Sequence, residues 1–182
     1  MDEKQLIAGS LEGRMEDFRR IVDRHSAAMM ALAMNILGNR DDAEDALQDA
    51  FIQVYRNLEA FDMAKSFKTR IFTILYRRCL DYLRRRRRSF ELLRKMEREA
   101  PQLQPANPSS FARPSKLPAP FLQRLNPKER TALCLWANEG YTSREISEVL
   151  RCSASTARVH LFQARKKIKK FLEQDHVYLQ NS

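Results

Sequence analysis

An all-α fold, in two small helical domains joined by a Pro-rich linker, is what this sequence predicts on three observations. Glycine occurs four times in 182 residues and valine five, whereas strands favour β-branched side chains and hairpins favour glycine. Apolar residues recur three or four apart through most of the chain, the spacing of a single buried helix face. Six of the seven prolines (Pro101, Pro105, Pro108, Pro114, Pro118 and Pro120) fall between positions 101 and 120. Proline has no amide hydrogen and a fixed φ, so that stretch is neither helix nor central strand. The predicted organisation is a helical domain at 1–98, a flexible linker at 99–120 and a second helical domain at 121–182, the latter containing a helix-turn-helix.

In the first domain, Phe18, Ile21, Val22, His25, Met29, Leu32, Ala33 and Ile36 predict a helix over 14–37. Gly38 follows where a left-handed residue closes a helix. A second helix is expected to open at Asp41, with Glu44 completing a capping box. Its apolar stripe is Ala43, Ala46, Leu47, Ala50, Phe51, Val54 and Leu58. A third helix is expected from about Ser66 past Arg88. Phe67, Ile71, Ile74, Leu75 and Leu83 form its apolar line, and Phe72 and Tyr76 are expected to be partly exposed beside the basic face.

In the second domain, Asn126-Pro-Lys-Glu places a cap, a first-turn proline and a reciprocal glutamate at the right offsets. Gly140 ends that helix, and Thr142-Ser-Arg-Glu repeats the capping box. A short helix carries Ile146, Val149 and Leu150. Ser153 caps a longer one, with Ala157, Leu161, Ala164 and Ile168 turned inward. A short helix, a tight turn and a longer basic helix make a helix-turn-helix.

Composition excludes several classes of function. No pair of glycines has the spacing of a nucleotide-binding fingerprint or phosphate loop. The longest apolar run, residues 27–34, falls far short of the roughly 20 needed to span a bilayer. The first residues lack the layout of a signal peptide, so a cytoplasmic protein is expected. Cys79, Cys134 and Cys152 form no CxxC, and with His25, His160 and His176 they complete no zinc cluster. Neither a metal, a cofactor nor a catalytic residue is expected.

The net charge of +10 points to a polyanion, and its distribution is more telling. Residues 41–49 hold five acids (Asp41, Asp42, Glu44, Asp45 and Asp49) and no base. Residues 65–88 hold ten bases and one acid, Asp81; residues 151–170 hold seven bases and no acid. Two basic stripes fit contacts to phosphate, where each neutralised phosphate releases counterions. Five consecutive arginines at 84–88 repel one another along a helix and so favour an anionic partner. The acidic face needs a different partner, most simply a basic protein surface. A stand-alone helix-turn-helix regulator would explain the second domain alone, leaving both the acidic helix and the arginine run without a role. A Mg²⁺-dependent nuclease would need those carboxylates beside a basic groove, and they share one helix face instead.

Asp41-Asp-Ala-Glu-Asp-Ala-Leu-Gln-Asp-Ala-Phe, then Phe67 through Leu83-Arg-Arg, then Leu125-Asn-Pro-Lys-Glu-Arg with Glu145-Ile, Thr156 and Ala164-Arg, resembles a bacterial RNA polymerase sigma factor. The order and spacing are similar to the extracytoplasmic-function (ECF) group of the sigma-70 family, which keeps the second and fourth conserved domains. The resemblance covers nearly the whole chain except the linker. It implies that Glu44, Asp45, Gln48, Asp49 and Ile52 dock on the β′ coiled coil of core polymerase, and that the second domain meets the β flap. It implies that Phe67, Arg70, Phe72, Tyr76, Arg77, Arg78, Arg84, Arg85 and Arg86 hold the melted −10 element. It implies that Ser153, Ser155, Thr156, Arg158, His160, Gln163, Arg165 and Lys166 meet the −35 element, and that an anti-sigma factor is a further partner. The sequence departs from the family where Arg70 replaces the usual tryptophan and Arg77 the usual asparagine. Arg151 stands at the turn glycine of the helix-turn-helix, and Val159, His160 and Gln163 stand where basic residues are frequent.

The physical chemistry agrees with what the resemblance implies. Opening duplex DNA costs about 1.4 kcal/mol per stacked step. Stacking an extruded base on an aromatic or apolar surface returns about 1–3 kcal/mol.

Overall fold

A computed structural model of the chain describes residues 2–99 and 124–180, with side chains described over 2–93 and 124–173. The proline-rich stretch predicted as a linker lies outside the described residues. Among the described residues there are seven helices and no strand: α1 (Glu3–Leu11), α2 (Met15–Leu37), α3 (Arg40–Arg56), α4 (Phe67–Glu99), α5 (Pro127–Glu139), α6 (Ser143–Leu150) and α7 (Ala154–Gln180). None is long and apolar enough to cross a membrane.

Helix α1 has too few apolar residues for periodicity to reveal it. It is specified by its cap: Asp2 accepts from the Glu3 amide at 2.7 Å, and Gln5 reaches back to the Asp2 amide at 3.1 Å. Leu6 and Ile7 supply its buried face. The helix crosses the start of α2 at Gly9, where a Cβ would lie 1.9 Å from Asp17 Oδ2 and 2.6 Å from an Arg14 guanidinium nitrogen. The Asp17 carboxylate is buried there and accepts from Arg14 Nε at 2.9 Å.

Helix α2 buries the expected stripe, including His25, whose Nε2 lies 2.7 Å from Glu3 Oε1. Gly38 ends it at φ 68°, its amide bonded to the Met34 carbonyl at 2.9 Å. Helix α3 starts earlier than its acidic run suggests. Asn39 is the cap, its Oδ1 accepting from the Asp42 amide at 3.0 Å, so Asp42 stands where Glu44 was expected. Glu44 pairs instead with Arg40. Helix α4 follows Ser66, whose hydroxyl accepts from the Thr69 amide at 3.2 Å.

The caps of the second domain match their sequence signals. Asn126 and Glu129 exchange side-chain and amide bonds at 2.9 and 3.0 Å, and Thr142 and Glu145 do the same one helix later. Gly140 is left-handed at φ 68°. Arg151 closes α6 at φ 52° and ψ 55°, a left-handed non-glycine in the turn before α7. Ser153 Oγ accepts from the Thr156 amide at 3.1 Å.

The buried residues of the two domains form one continuous core. Helix α2 packs on α5, and α4 packs on α6. Three polar links cross the contact: Arg130 Nη1 to the Asn35 and Ile36 carbonyls, Asn35 to Cys134 Sγ, and Lys68 Nζ to Glu139 at 2.8 Å. The Phe72 and Tyr141 rings meet edge to face at 5.9 Å.

Candidate docking groove and nucleic-acid interface

The acidic helix does not stand alone. Helices α2 and α3 enclose an open groove of about 470 Å³, with Met15, Phe18 and Val22 on one wall and Leu47, Phe51, Ile52 and Tyr55 on the other. Met15, Ile52 and Tyr55 are exposed although apolar or aromatic, and Phe18 meets Tyr55 edge to face at 4.9 Å. Glu44, Gln48 and Arg56 form the polar rim. At 100° per residue, Glu44, Gln48 and Ile52 share one line of the helix and Asp45 and Asp49 the next. The five sequence-derived positions therefore divide. The first three line the groove, while Asp49 lies toward α4, with the Tyr82 hydroxyl 3.5 Å from its carboxylate. Burial, then Asp49 and Asp45, raises the Tyr82 pKa. The α2 wall was not singled out from sequence. Its signal is an apolar stripe that extends to Met15, beyond what the core consumes.

On α4 the structure corrects one expectation. Phe72 and Tyr76 were expected to be partly exposed and are buried, at 0% and 3% exposure. The second domain covers them: Tyr141 packs on Phe72, and Tyr76 sits beside the end of α6. Nothing in their helical spacing could reveal a covering helix from 70 residues away. Phe67 is core, packed edge to face on Phe61 at 5.1 Å. Of the basic positions, Arg70, Arg84 and Arg85 are exposed, and Arg77, Arg78 and Arg86 are half-buried. Several are already engaged: Arg78 bonds Gln53, Arg84 bonds Asp81 at 2.9 Å, and Arg85 lies over the Tyr82 ring at 5.7 Å.

On α7, Ser153, Ser155, Thr156, Arg158, Arg165 and Lys166 are exposed. The Ser153 hydroxyl bonds those of Ser155 and Thr156 at 2.7 and 2.8 Å, so these three form a capping network as well as a polar surface. Arg165 stacks over the Trp136 ring at 4.9 Å. Gln163 is half-buried. His160, expected to meet DNA, is half-buried on the inward side. It falls three residues after Ala157 and four before Ala164, so it shares their face. Burial, and secondarily the Lys128 cation, holds its pKa below the usual histidine value, and its Nε2 is buried without a partner. Phe162 was not anticipated. It is 63% exposed, and Arg158, Arg165, Lys166 and Lys169 surround it.

Comparison with known proteins identifies the family. Residues 21–89 match the family model for Sigma-70 region 2, and residues 121–168 that for Sigma-70, region 4. The ECF RNA polymerase sigma factor SigE of Mycolicibacterium smegmatis is 30% identical over 167 residues, covering 88% of this chain and 63% of that protein. The chain thus spans a little under two thirds of that relative. The ECF RNA polymerase sigma factor SigW of Bacillus subtilis is 25% identical over 179 residues, covering 93% of this chain and 96% of that protein. The solved structure of CnrH in complex with the cytosolic domain of CnrY superposes with a TM-score of 0.70 at 25% identity, covering 95% of this chain and 98% of that one. With helices and no strand among the described residues, a region 2 match over the α3 wall of the groove and the arginine run, and a region 4 match over the helix-turn-helix, the chain belongs to the sigma-70 family of transcription initiation factors, in its ECF group.

Proposed function

We propose that the α2–α3 groove is the surface through which this sigma factor holds core RNA polymerase, with α4 and α7 presenting the −10 and −35 contacts. The observation that carries the reading is an apolar groove left open to solvent between Met15 and Ile52, rimmed by Glu44 and Gln48. Large exposed apolar surface is uncommon on a free protein and marks a binding site. The acids beside it fit a basic helical partner such as the β′ coiled coil. The exposed cations of α4 supply the phosphate contacts of a melted strand. Ser155, Thr156 and Arg158 at the start of α7 have the chemistry that reads base edges in a major groove, and the Phe162 surface fits the β flap. Residues 1–98 serve as the −10 domain and 121–182 as the −35 domain, in the cytoplasm where polymerase works. The superposition on CnrH, whose structure is that of a complex with the cytosolic domain of CnrY, supports a further protein partner, in keeping with the anti-sigma factor expected from the sequence.

The test is run-off transcription with core polymerase over a pool of genomic promoters. Discrete start sites that depend on the added chain are expected. Absence of any start above core alone overturns the reading.

A further inference from the structure

We infer that the cleft between the two domains is a binding site for a small phosphate-class anion, which ties α5 and the α6–α7 turn onto α4. The cleft, of about 360 Å³, is lined from one side by Tyr76, Arg77 and Arg84 and from the other by Lys128 and Arg151. Each domain thus brings two cations to one space. The single carboxylate there, Asp81, is already taken by Arg84 at 2.9 Å and Arg78 at 4.0 Å. Among the described residues, Arg77, Lys128 and Arg151 have no carboxylate within salt-bridge distance. Like charges facing one another across a contact oppose it, so the domains meet here against their own electrostatics.

A second observation points to a ligand. Tyr76 is 3% exposed, its hydroxyl is buried, and that hydroxyl has no hydrogen-bond partner. A buried donor left unmade is costly, and Tyr76 lines the cleft with Arg84 close enough to act on its phenol, so it can supply the donor that an oxyanion uses beside a cation. Burial, ahead of all other influences, pushes the Tyr76 pKa up to about 12, so the group stays a donor. Arg151 adds a third observation. It carries a long cation at a left-handed position, φ 52°, where glycine would be unstrained. A phosphate or pyrophosphate would accept from the guanidinium groups, the Lys128 ammonium and the Tyr76 hydroxyl together, turning a repulsive seam into a bridge. Cleft and cover come together only when the domains are packed, so the anion binds the packed form and thereby favours it.

The experiment is a titration of the full chain with sodium pyrophosphate, and separately orthophosphate, at ionic strength held constant with chloride. Binding is followed by calorimetry and by backbone amide NMR. Saturable one-to-one binding is expected, with amides around Tyr76–Arg77 and around Arg151 shifting along one binding curve. Arg151→Gly and Lys128→Gln, each checked for an unchanged fold by the same spectra, should each weaken binding by about tenfold, the loss expected for one charge-assisted hydrogen bond. No saturable binding, shifts confined to one domain, or affinity unchanged in both variants would each overturn the assignment. Equal affinity for a single-stranded oligonucleotide that shifts the same amides would also overturn it, since the cleft would then be a strand-binding surface.

Discussion

Arg130 of α5 closes the end of α2. Its Nη1 donates to the carbonyls of Asn35 and Ile36, each at 3.1 Å, while the Asn35 side chain donates back to Cys134 Sγ at 3.2 Å. The last carbonyls of a helix have no partner of their own and carry partial negative charge. Here the cation that satisfies them comes from the other domain. Its Nη2 also bonds the Leu125 carbonyl at 2.9 Å, so one side chain holds the entry to α5 and the exit of α2.

Replacing Arg130 with methionine should loosen the domain contact. Bonds of this charged kind are worth about 1.5–3 kcal/mol each. Burial lowers the Arg130 pKa, and its Nε has no partner, so the net loss should fall at the lower end of that range. Small-angle scattering should show a larger radius of gyration, and the melting temperature should fall. An unchanged radius with an unchanged melting temperature would show that the apolar contacts suffice without it.

Charge reversal on the groove rim, at Glu44, and on the neighbouring acidic line, at Asp45, should separate docking from folding. Glu44→Lys and Asp45→Lys lie on exposed positions, where substitutions usually change stability by less than about 0.5 kcal/mol. Affinity for core polymerase should fall by about tenfold or more, measured by fluorescence titration, with the thermal transition unmoved. Full affinity in both variants would put the docking surface elsewhere.

Base reading and phosphate binding should part on α7. Arg158→Ala is expected to relax preference at one or two −35 positions, at about 1–3 kcal/mol, whereas Lys166→Ala should weaken all promoters alike and lower the salt slope by about 1. Both variants would be measured against every single −35 substitution at two salt concentrations. A uniform loss for Arg158→Ala would make it a phosphate contact.

At the turn before α7, Arg151→Gly should stabilise the protein. A non-glycine residue in the left-handed region costs of order 1 kcal/mol, equivalent to about 2–4 °C in Tm for a chain of this size. Scanning calorimetry without added phosphate checks it, and a lowered Tm would contradict the strain.

Stability should also depend on His160 in a defined window. Its folded pKa lies below the usual histidine value, so the unfolded chain binds the proton more readily. Stability contributed in this way is fully present above the ordinary histidine pKa of about 6.5. It is lost as pH falls through that value toward the folded pKa. Urea titrations at pH values between about 5.5 and 7.5 should show a shallower dependence for His160→Gln than for the parent. Parallel curves would remove His160 as the cause.

Helix ends were the most legible feature of the sequence. The boxes at Asn126 and Thr142, the glycines 38 and 140 and the cap at Ser153 all formed as their local chemistry dictates, because each depends on atoms within four residues. The turn position of Arg151 was legible only through the family resemblance, which puts a glycine there; its left-handed backbone comes from the structure. Helix α3 was misplaced because Asn39 offers a cap ahead of a run rich in competing acids. The core stripes of α2 and α7 were legible, whereas the half-burial of His160 on the inward face of α7 was not. What stayed hidden depends on distant parts of the chain. The burial of Phe72 and Tyr76 is decided by Tyr141 and α6, and the α2 wall of the groove becomes a wall only when α3 folds against it.

The corner formed by Gly9, Arg14 and Asp17 has a consequence for how sequences of this kind can change. Asp17 is buried and satisfied by Arg14, and both fill the space above Gly9. Any side chain at position 9 meets that pair, so Arg14 or Asp17 must shift to admit one. Met15 and Phe18 lie between and beside them and form the α2 wall of the groove. A side chain added at position 9 would therefore press on the segment that carries the α2 wall of the groove without touching the groove itself. The shape of that surface is inherited from three residues that lie outside it.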